Sequence, residues 1–373
     1  MRSSNSNFGL LVCALALSGL MACRSSSPAA TTPPASSSVG SLRNARVAIE
    51  RPATQLTMFV GAATDAQRDE LALLAPNVAV VAGLTREQAL ERAGEAHAID
   101  ARYATPEFIA SAPNLRWIQA LSAGVDRYLN LAELLEQRSI VLTNMQGAYG
   151  PAIADHVFAM LLALSRDLRF YSEQQAQARW TRGNPDGQPF ALEGLTMLVV
   201  GLGGIGTDVA ERAHGFGMRV IATRRSDDGG PAFVEHVGKP EELLTLLPRA
   251  DVVAICVPLT PQTERMFDAQ AFAAMKPGAI VVNIARGKVV DTEALLAALE
   301  SGRLRGACLD VTEPEPLPAD HPLWRAKGVL ITPHVAADSK LSEDRAWTLL
   351  RENVRRFGAG EPLYNVVDWK AGY

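Results

Sequence analysis

Three residues of chemically distinct type stand just beyond three segments that read as buried strands. Arg286 follows Ala279–Asn283 in Asn283-Ile284-Ala285-Arg286-Gly287. Glu315 follows Gly306–Asp310 in Asp310-Val311-Thr312-Glu313-Pro314-Glu315-Pro316, and His334 follows Gly328–Thr332 in Thr332-Pro333-His334. Ligands of open α/β sheets bind at the carboxyl ends of the strands, so all three are expected to face one cleft. A permanent cation forks onto a carboxylate and polarises a neighbouring ketone oxygen. An imidazole supplies or removes a proton near neutral pH, and a carboxylate behind it fixes the tautomer and stabilises the imidazolium. Together these types suit reduction of a 2-oxo acid, with hydride supplied by a cofactor.

A site for such a cofactor is legible nearby. Val199-Val200-Gly201-Leu202-Gly203-Gly204-Ile205-Gly206 places GxGxxG after a strand and at the start of a helix expected over Thr207–Ala213. In that context Gly201 makes the tight turn, Gly203 admits the pyrophosphate, and Gly206 lets helix and strand pack closely. The helix start offers free N–H groups and a positive dipole end to the phosphates. At the end of the next strand, Thr223-Arg224-Arg225 stands where a carboxylate usually accepts from the ribose hydroxyls. Two guanidiniums suit a 2′-phosphate instead, which favours NADP(H) and leaves NAD(H) possible, with Asp227 or Asp228 as the carboxylate reaching back. Further cofactor contacts are expected from the whole loop (Gly201, Leu202, Gly203, Gly204, Ile205, Gly206), from Cys256, Val257 and Pro258, and from Ile284, Ala285, Arg286, Asp310 and His334.

At this point the sequence resembles the D-isomer-specific 2-hydroxyacid dehydrogenase family, from about Leu56 to Val367. The resemblance is carried by Leu121-Ser122-Ala123-Gly124-Val125-Asp126, Tyr149–His156, the glycine loop, Pro258-Leu259-Thr260, Asn283–Asp291 and Thr332–Ser339. It implies a substrate-binding Arg286, a Glu at Glu315 (preferred to Glu313 for the motif match) and an acid/base His334. It also implies that the amides of Ala123 and Gly124 receive the substrate carboxylate, as an anion nest, and that the chain forms a homodimer through the long helix beginning near Pro151. Arg224, where the commonest pattern has Asp, resembles the NADP-preferring glyoxylate/hydroxypyruvate reductase-like members.

The elements that must position these groups alternate in type. Strands are predicted at Leu56–Val60, Val78–Val81, Ala96–Ile99, Leu115–Ala120 and Ile140–Thr143, then at Thr196–Val200, Val220–Thr223, Asp251–Val257, Ala279–Asn283, Gly306–Asp310 and Gly328–Thr332. Helical stretches lie between, among them one long apolar helix over Pro151–Leu168. Such alternation specifies α/β architecture with two doubly wound parallel sheets. A helix over Ser342–Phe357 has no sheet of its own left to cover. It is expected to return to the first sheet, so that a Rossmann domain is inserted into a discontinuous flavodoxin-like substrate domain. The expected division is 45–147 and 335–373 for the substrate domain and 148–334 for dinucleotide binding.

The front of the chain reads as an export signal. Phe8–Leu20 is an apolar run of about 13 residues, too short to span a bilayer but suited to the centre of a secretory signal. Leu20-Met21-Ala22-Cys23 resembles the lipobox of bacterial lipoproteins, which implies a signal over 1–22 and a lipidated Cys23. Arg24, rather than Asp, after the cysteine leans towards the outer membrane, on its periplasmic face. Residues 23–44, rich in Ser, Pro and Ala, read as a tether. The lipid anchor is then the only membrane contact expected.

Composition narrows the remaining classes. Across 373 residues, 36 Lys+Arg stand against 40 Asp+Glu, and 48% of residues are hydrophobic. That mild acidity leaves no electrostatic footprint for nucleic acid, and the apolar share argues against a disordered chain. Four cysteines are too few for a disulfide scaffold, and Cys256 and Cys308 read as packing thiols. His97, His214 and His236 lack partners at metal spacing, so no metal is expected, and His156 reads as a packed helix histidine. Trp180 and Tyr103 are candidates for lining the cleft. The rival to a small 2-oxo/2-hydroxy acid enzyme is a lipid-anchored binding or scaffold protein that kept the fold without the chemistry.

Overall fold

Short β-branched runs pair into two wholly parallel sheets in the computed structural model, which describes residues 55–369. The expected export signal, its tether and Cys23 lie outside the described residues. The first sheet comprises β1 (Leu56–Val60), β2 (Val78–Ala82), β3 (Ala98–Asp100), β4 (Trp117–Gln119) and β5 (Val141–Thr143), in the order β2-β1-β3-β4-β5. The second comprises β6 (Thr196–Val200), β7 (Arg219–Thr223), β8 (Val234–Gly238), β9 (Val252–Ile255), β10 (Ala279–Asn283), β11 (Leu304–Leu309) and β12 (Val329–Ile331). Its order is β12-β11-β10-β9-β6-β7-β8, so the chain reverses direction across the sheet between β6 and β9. That switch point opens a crevice at the strands' carboxyl ends.

The two-residue period of a strand explains how both faces fill. Along β6, Leu198 and Val200 enter one apolar cluster with Ile221, Val253, Ile255 and Val281. Met197 and Val199 enter another with Val220, Val252, Ala254 and Val282. Both faces are covered by helices, which is why β6 and β10 read as unbroken apolar runs rather than as alternation. The first sheet repeats the arrangement, with Phe59, Ile99 and Ile118 on one side and Leu56, Met58, Val60 and Trp117 on the other.

The closing helix, Lys340–Ala359, is capped by the Ser339 side chain at its start and ended by Gly360 at φ 67°. Its Val354 and Phe357, with Trp347 and Leu350, pack on the first sheet, and the Phe357 ring lies 5.2 Å from that of Trp117. Fully buried Asn353 donates to Gln119 Oε1 and to the Tyr364 carbonyl, both at 3.2 Å. The chain therefore leaves the first sheet, builds the second, and returns.

Two expectations are corrected. The long apolar helix ends at Ser165, and a separate helix, Leu168–Ala176, follows. Asp167 between them is left-handed at φ 54°, a conformation its short polar side chain tolerates and a helix interior does not. The strand β8 carries Val-Glu-His-Val-Gly at a sheet edge, partly exposed, and so lacks the apolar run by which its neighbours are recognised.

Candidate active site

Arg286 reaches the cleft from the turn after β10. Asn283, the last residue of that strand, shapes the turn: its Oδ1 accepts from the Ala285 amide at 3.0 Å and its Nδ2 donates to the Arg286 carbonyl at 3.0 Å. Gly287 follows because a Cβ there would overlap the Thr312 carbonyl, so the turn packs directly on the loop that carries Glu315. The guanidinium donates through Nε to Asp126 Oδ1 at 3.0 Å, with Nη2 also 3.0 Å from that oxygen, and through Nη1 to the Ala285 carbonyl at 2.7 Å. It lies directly against Gly124, where a Cβ would overlap Nη2.

Ala123 and Gly124 thus lie beside the cation expected to share their ligand. Their carbonyls are tied back, that of Ala123 by Asn144 Nδ2 at 2.9 Å and that of Gly124 by the Ser122 hydroxyl at 2.7 Å. Both are half-buried at the carboxyl end of β4.

The imidazole and the carboxylate meet. His334 Nδ1 is 2.8 Å from Glu315 Oε1, with each side chain about two-fifths exposed at 43% and 41%. With Nδ1–H donated to the carboxylate, Nε2 is the nitrogen left to exchange a proton with a ligand. His334 has φ 58°, left-handed for a residue with a Cβ. That backbone is held from below by Asp310, which is 2% exposed. The Asp310 carbonyl accepts from the His334 amide at 2.8 Å. Its carboxylate accepts from the Val335 amide (3.0 Å), the Ala336 amide (3.1 Å) and the Thr332 hydroxyl (2.7 Å). Having given its proton to Asp310, Thr332 Oγ1 accepts from His156 Nε2 at 2.9 Å. His156 is therefore a satisfied, half-buried side chain, one step behind the loop that presents His334.

The glycine loop sits at the sheet's switch point. Gly201 has φ 99°, and a Cβ there would come within 2.8 Å of Val257 and 3.0 Å of the Cys256 carbonyl. Gly206 faces the Gly201 carbonyl, which a Cβ would overlap. Beside Gly203 and Gly204, by contrast, there is open space, and both are exposed. The helix Gly204–Gly215 begins there with no side chain capping its amides. A cradle closed behind and open in front, at a positive helix end, fits a pyrophosphate. Ile205, half-buried, belongs to the first turn of that helix.

Other expected contacts divide by burial. Leu202 is 1% exposed, and Thr223, 3% exposed, accepts from the Leu202 amide at its carbonyl and from the Gly201 amide at its hydroxyl. These two hold the loop from within. Arg224 is half-buried, donating to the Gly229 carbonyl at 2.8 Å and pairing with Asp228 at 3.4 Å; Arg225 beside it is exposed. Lys239 joins this corner, pairing with Asp227 and donating to the Arg225 carbonyl at 3.2 Å. Cys256, Val257 and Pro258 follow β9, and Ile284 and Ala285 precede Arg286. Cys256 is half-buried as a residue but its thiol is enclosed, and burial pushes that thiol, like Cys308, up to about 12. Neither is a nucleophile at neutral pH.

The structure moves Tyr103 out of the cleft: it is buried in the first sheet's core, donating to the Leu84 carbonyl at 2.8 Å. Trp180 is almost wholly exposed. Asp126 and Thr332 received no role from the sequence, although both stand inside motifs already singled out. Among the described residues, no group of three or more His, Cys, Asp or Glu is placed to hold a metal, and no helix is long and apolar enough to cross a membrane.

Comparison with known proteins follows the same outline. Residues 158–336 match the model described as D-isomer specific 2-hydroxyacid dehydrogenase, NAD binding domain. A glyoxylate reductase of Korarchaeum cryptofilum is 37% identical over 269 residues, covering 70% of this chain and 79% of that protein. A D-3-phosphoglycerate dehydrogenase of Methanocaldococcus jannaschii is 34% identical over 297 residues, 78% of this chain, which spans 55% of that longer protein. Among solved structures, a D-isomer specific 2-hydroxyacid dehydrogenase family protein of Aeromonas salmonicida aligns at TM-score 0.73 and 36% identity, over 85% of this chain and 100% of that one. One from Xanthobacter autotrophicus, in complex with NADPH and MES, aligns at TM-score 0.73 and 30% identity, over 86% and 100%.

The contact between Gly206 and the Gly201 carbonyl yields a direct expectation. Gly206→Ala should destabilise the protein by about 1–3 kcal/mol, the cost of overpacking a closed site. Thermal or denaturant unfolding measures it, and an unchanged midpoint refutes the packing role.

Proposed function

The chain belongs to the D-isomer-specific 2-hydroxyacid dehydrogenase family, and we propose that it reduces a small 2-oxo acid to the D-2-hydroxy acid, or the reverse, glyoxylate and hydroxypyruvate being the favoured types. The observation that carries this reading is His334 Nδ1 at 2.8 Å from Glu315 Oε1, on a sheet end that also presents Arg286 against Gly124. When bound, a nicotinamide supplies or accepts the hydride. Arg286 and the Ala123–Gly124 amides hold the substrate carboxylate and orient the ketone. His334 gives a proton from Nε2 to the oxygen that becomes the hydroxyl, or takes it in the reverse direction. Glu315 stabilises the doubly protonated ring and keeps Nε2 aimed outward. Those roles are assigned from geometry and family membership together.

NADP(H) is the favoured cofactor and NAD(H) the alternative. Support comes from Arg224, Arg225 and Lys239 gathered at the end of β7, where a 2′-phosphate would find charge-assisted donors. The reading extends to domains at 45–147, 148–334 and 335–373, and to a homodimer joined through the region of Gly150–Ser165. Exposed Leu168, Tyr171 and Trp180 just beyond that helix support a covered surface there. It extends also to export, with Cys23 lipidated and the body held on the periplasmic face, outer membrane favoured.

Purified protein mixed with NADPH and a panel of 2-oxo acids should consume the cofactor, followed as absorbance loss. His334→Ala should lower kcat by roughly a hundredfold or more, the usual worth of a general acid, while leaving NADPH affinity nearly unchanged. No turnover with any acid, despite cofactor binding, supports the non-catalytic rival; near-wild-type rates in the variant remove His334 from the reaction. Arg224→Asp should reduce kcat/KM for NADPH by about tenfold or more, the scale of one hydrogen bond to a charged group, and spare or improve NADH. Equal effects on both cofactors exclude a 2′-phosphate role. In cells fed labelled palmitate, the chain should take up label and Cys23→Ala should not; label retained in the variant overturns the anchor.

A further inference from the structure

We propose that Asp126 is the positioning residue of Arg286, setting which edge of the guanidinium meets the substrate; the inference rests on the reading of Arg286 as the carboxylate-binding group. Arginine offers five N–H donors in a fixed plane. Two are hydrogen-bonded: Nε–H goes to Asp126 Oδ1 at 3.0 Å and one Nη1–H to the Ala285 carbonyl at 2.7 Å, while Nη2 lies 3.0 Å from the same Asp126 oxygen as part of the ion pair. N–H groups remain on both terminal nitrogens, and two such nitrogens together are what a planar carboxylate takes in bidentate fashion. A long, rotatable side chain is thereby ordered before the ligand arrives, and the ordering entropy is removed from the binding step.

The pair also joins two parts of the fold that are far apart in the chain. Asp126 begins the turn after β4, two residues beyond Gly124, whereas Arg286 belongs to the turn after β10. Both side chains are about three-quarters covered, at 26% and 25% exposure, and both crowd Gly124: a Cβ there would overlap Nη2 and stand 3.0 Å from Asp126 Oδ1. Arg286 is therefore aimed only while the first sheet's turn is docked against the second sheet's. Binding of the carboxylate by Ala123–Gly124 and by Arg286 becomes one event instead of two.

The test compares Asp126→Ala, Asp126→Asn and Arg286→Lys in the full-length chain. Asp126→Ala should raise KM for the 2-oxo acid by roughly ten- to a hundredfold, with kcat falling less and NADPH affinity within about twofold, since a hydrogen bond to a charged group is lost at the substrate end alone. Asp126→Asn, whose amide oxygen still accepts from Nε, should recover part of that loss. The double variant Asp126→Ala with Arg286→Lys should be little worse than Arg286→Lys alone, because the two residues act as one unit. An unchanged KM, penalties that multiply, or NADPH affinity falling in step with KM overturns the proposal. If the Ala variant does not fold, Asp126→Asn carries the same KM test. Oxalate, a carboxylate probe that needs no turnover, separates the two readings by calorimetry. Wild type that binds oxalate but reduces no 2-oxo acid refutes the hydride-transfer reading, whereas weaker oxalate binding in Asp126→Ala still supports the pair, and equal binding overturns it.

Discussion

Parallel pairing is the constraint from which the site follows. Because every ladder among the described strands of the second sheet is parallel, all of its strands end at one edge. The turns after β6, β7, β9, β10, β11 and β12 are then neighbours, although more than a hundred residues separate the first from the last in the chain. Gly201, Arg224, Cys256, Arg286, Glu315 and His334 occupy those turns in order. Reversing even one of these strands would send its turn, and the residue it carries, to the opposite edge. The sheet order, reversing between β6 and β9, further opens the edge beside the glycine loop rather than elsewhere.

Within that frame the most demanding local requirement is Asp310. A carboxylate at 2% exposure costs free energy unless every oxygen finds donors. Two backbone amides and a hydroxyl supply them, and all three belong to residues 332–336. The buried charge therefore selects one conformation of that turn, and it is the conformation in which His334 adopts a left-handed backbone toward Glu315. Local strain at His334 is offset by satisfaction of Asp310, a division commonly found where a side chain must be presented rather than packed. His156 and Thr332 extend the same network away from the cleft, so a packed histidine supports the turn that presents the proposed acid/base.

How much of this was legible in the sequence depends on what each residue's environment resembles locally. Buried parallel strands advertise themselves as apolar runs, so β1, β6 and β10 appear with the predicted bounds. At an edge the same role is played by Val234–Gly238, whose position admits an exposed Glu235 and a half-buried His236, and the signal disappears. Glycines were legible because a tight turn and a close approach admit little else. Thr223 and Leu202 stand at positions where cofactor contacts are expected, and both are almost wholly buried and bonded to each other beneath the loop, a degree of burial that spacing does not encode. Asp126 was visible only as a letter in a motif: its partner lies 160 positions away, and pairing across two sheets leaves no local periodicity.

Charge arithmetic at the end of β7 bears on the proposed cofactor preference. Arg224 and Lys239 already have carboxylate partners in Asp228 and Asp227, so the corner is not a bare positive surface. Those carboxylates are 64% and 94% exposed, however, and solvent screening leaves exposed ion pairs weak. A phosphate bearing close to two charges and three acceptor oxygens competes well for the same guanidinium, at about 1.5–3 kcal/mol per charged hydrogen bond. A ribose diol brings no charge to that contest and would leave both pairs in place. The acidic turn, on the proposed reading, sets a threshold that a 2′-phosphate would exceed and a bare ribose would not. On the proposed reading, discrimination arises as much from what the cations must give up as from what they gain.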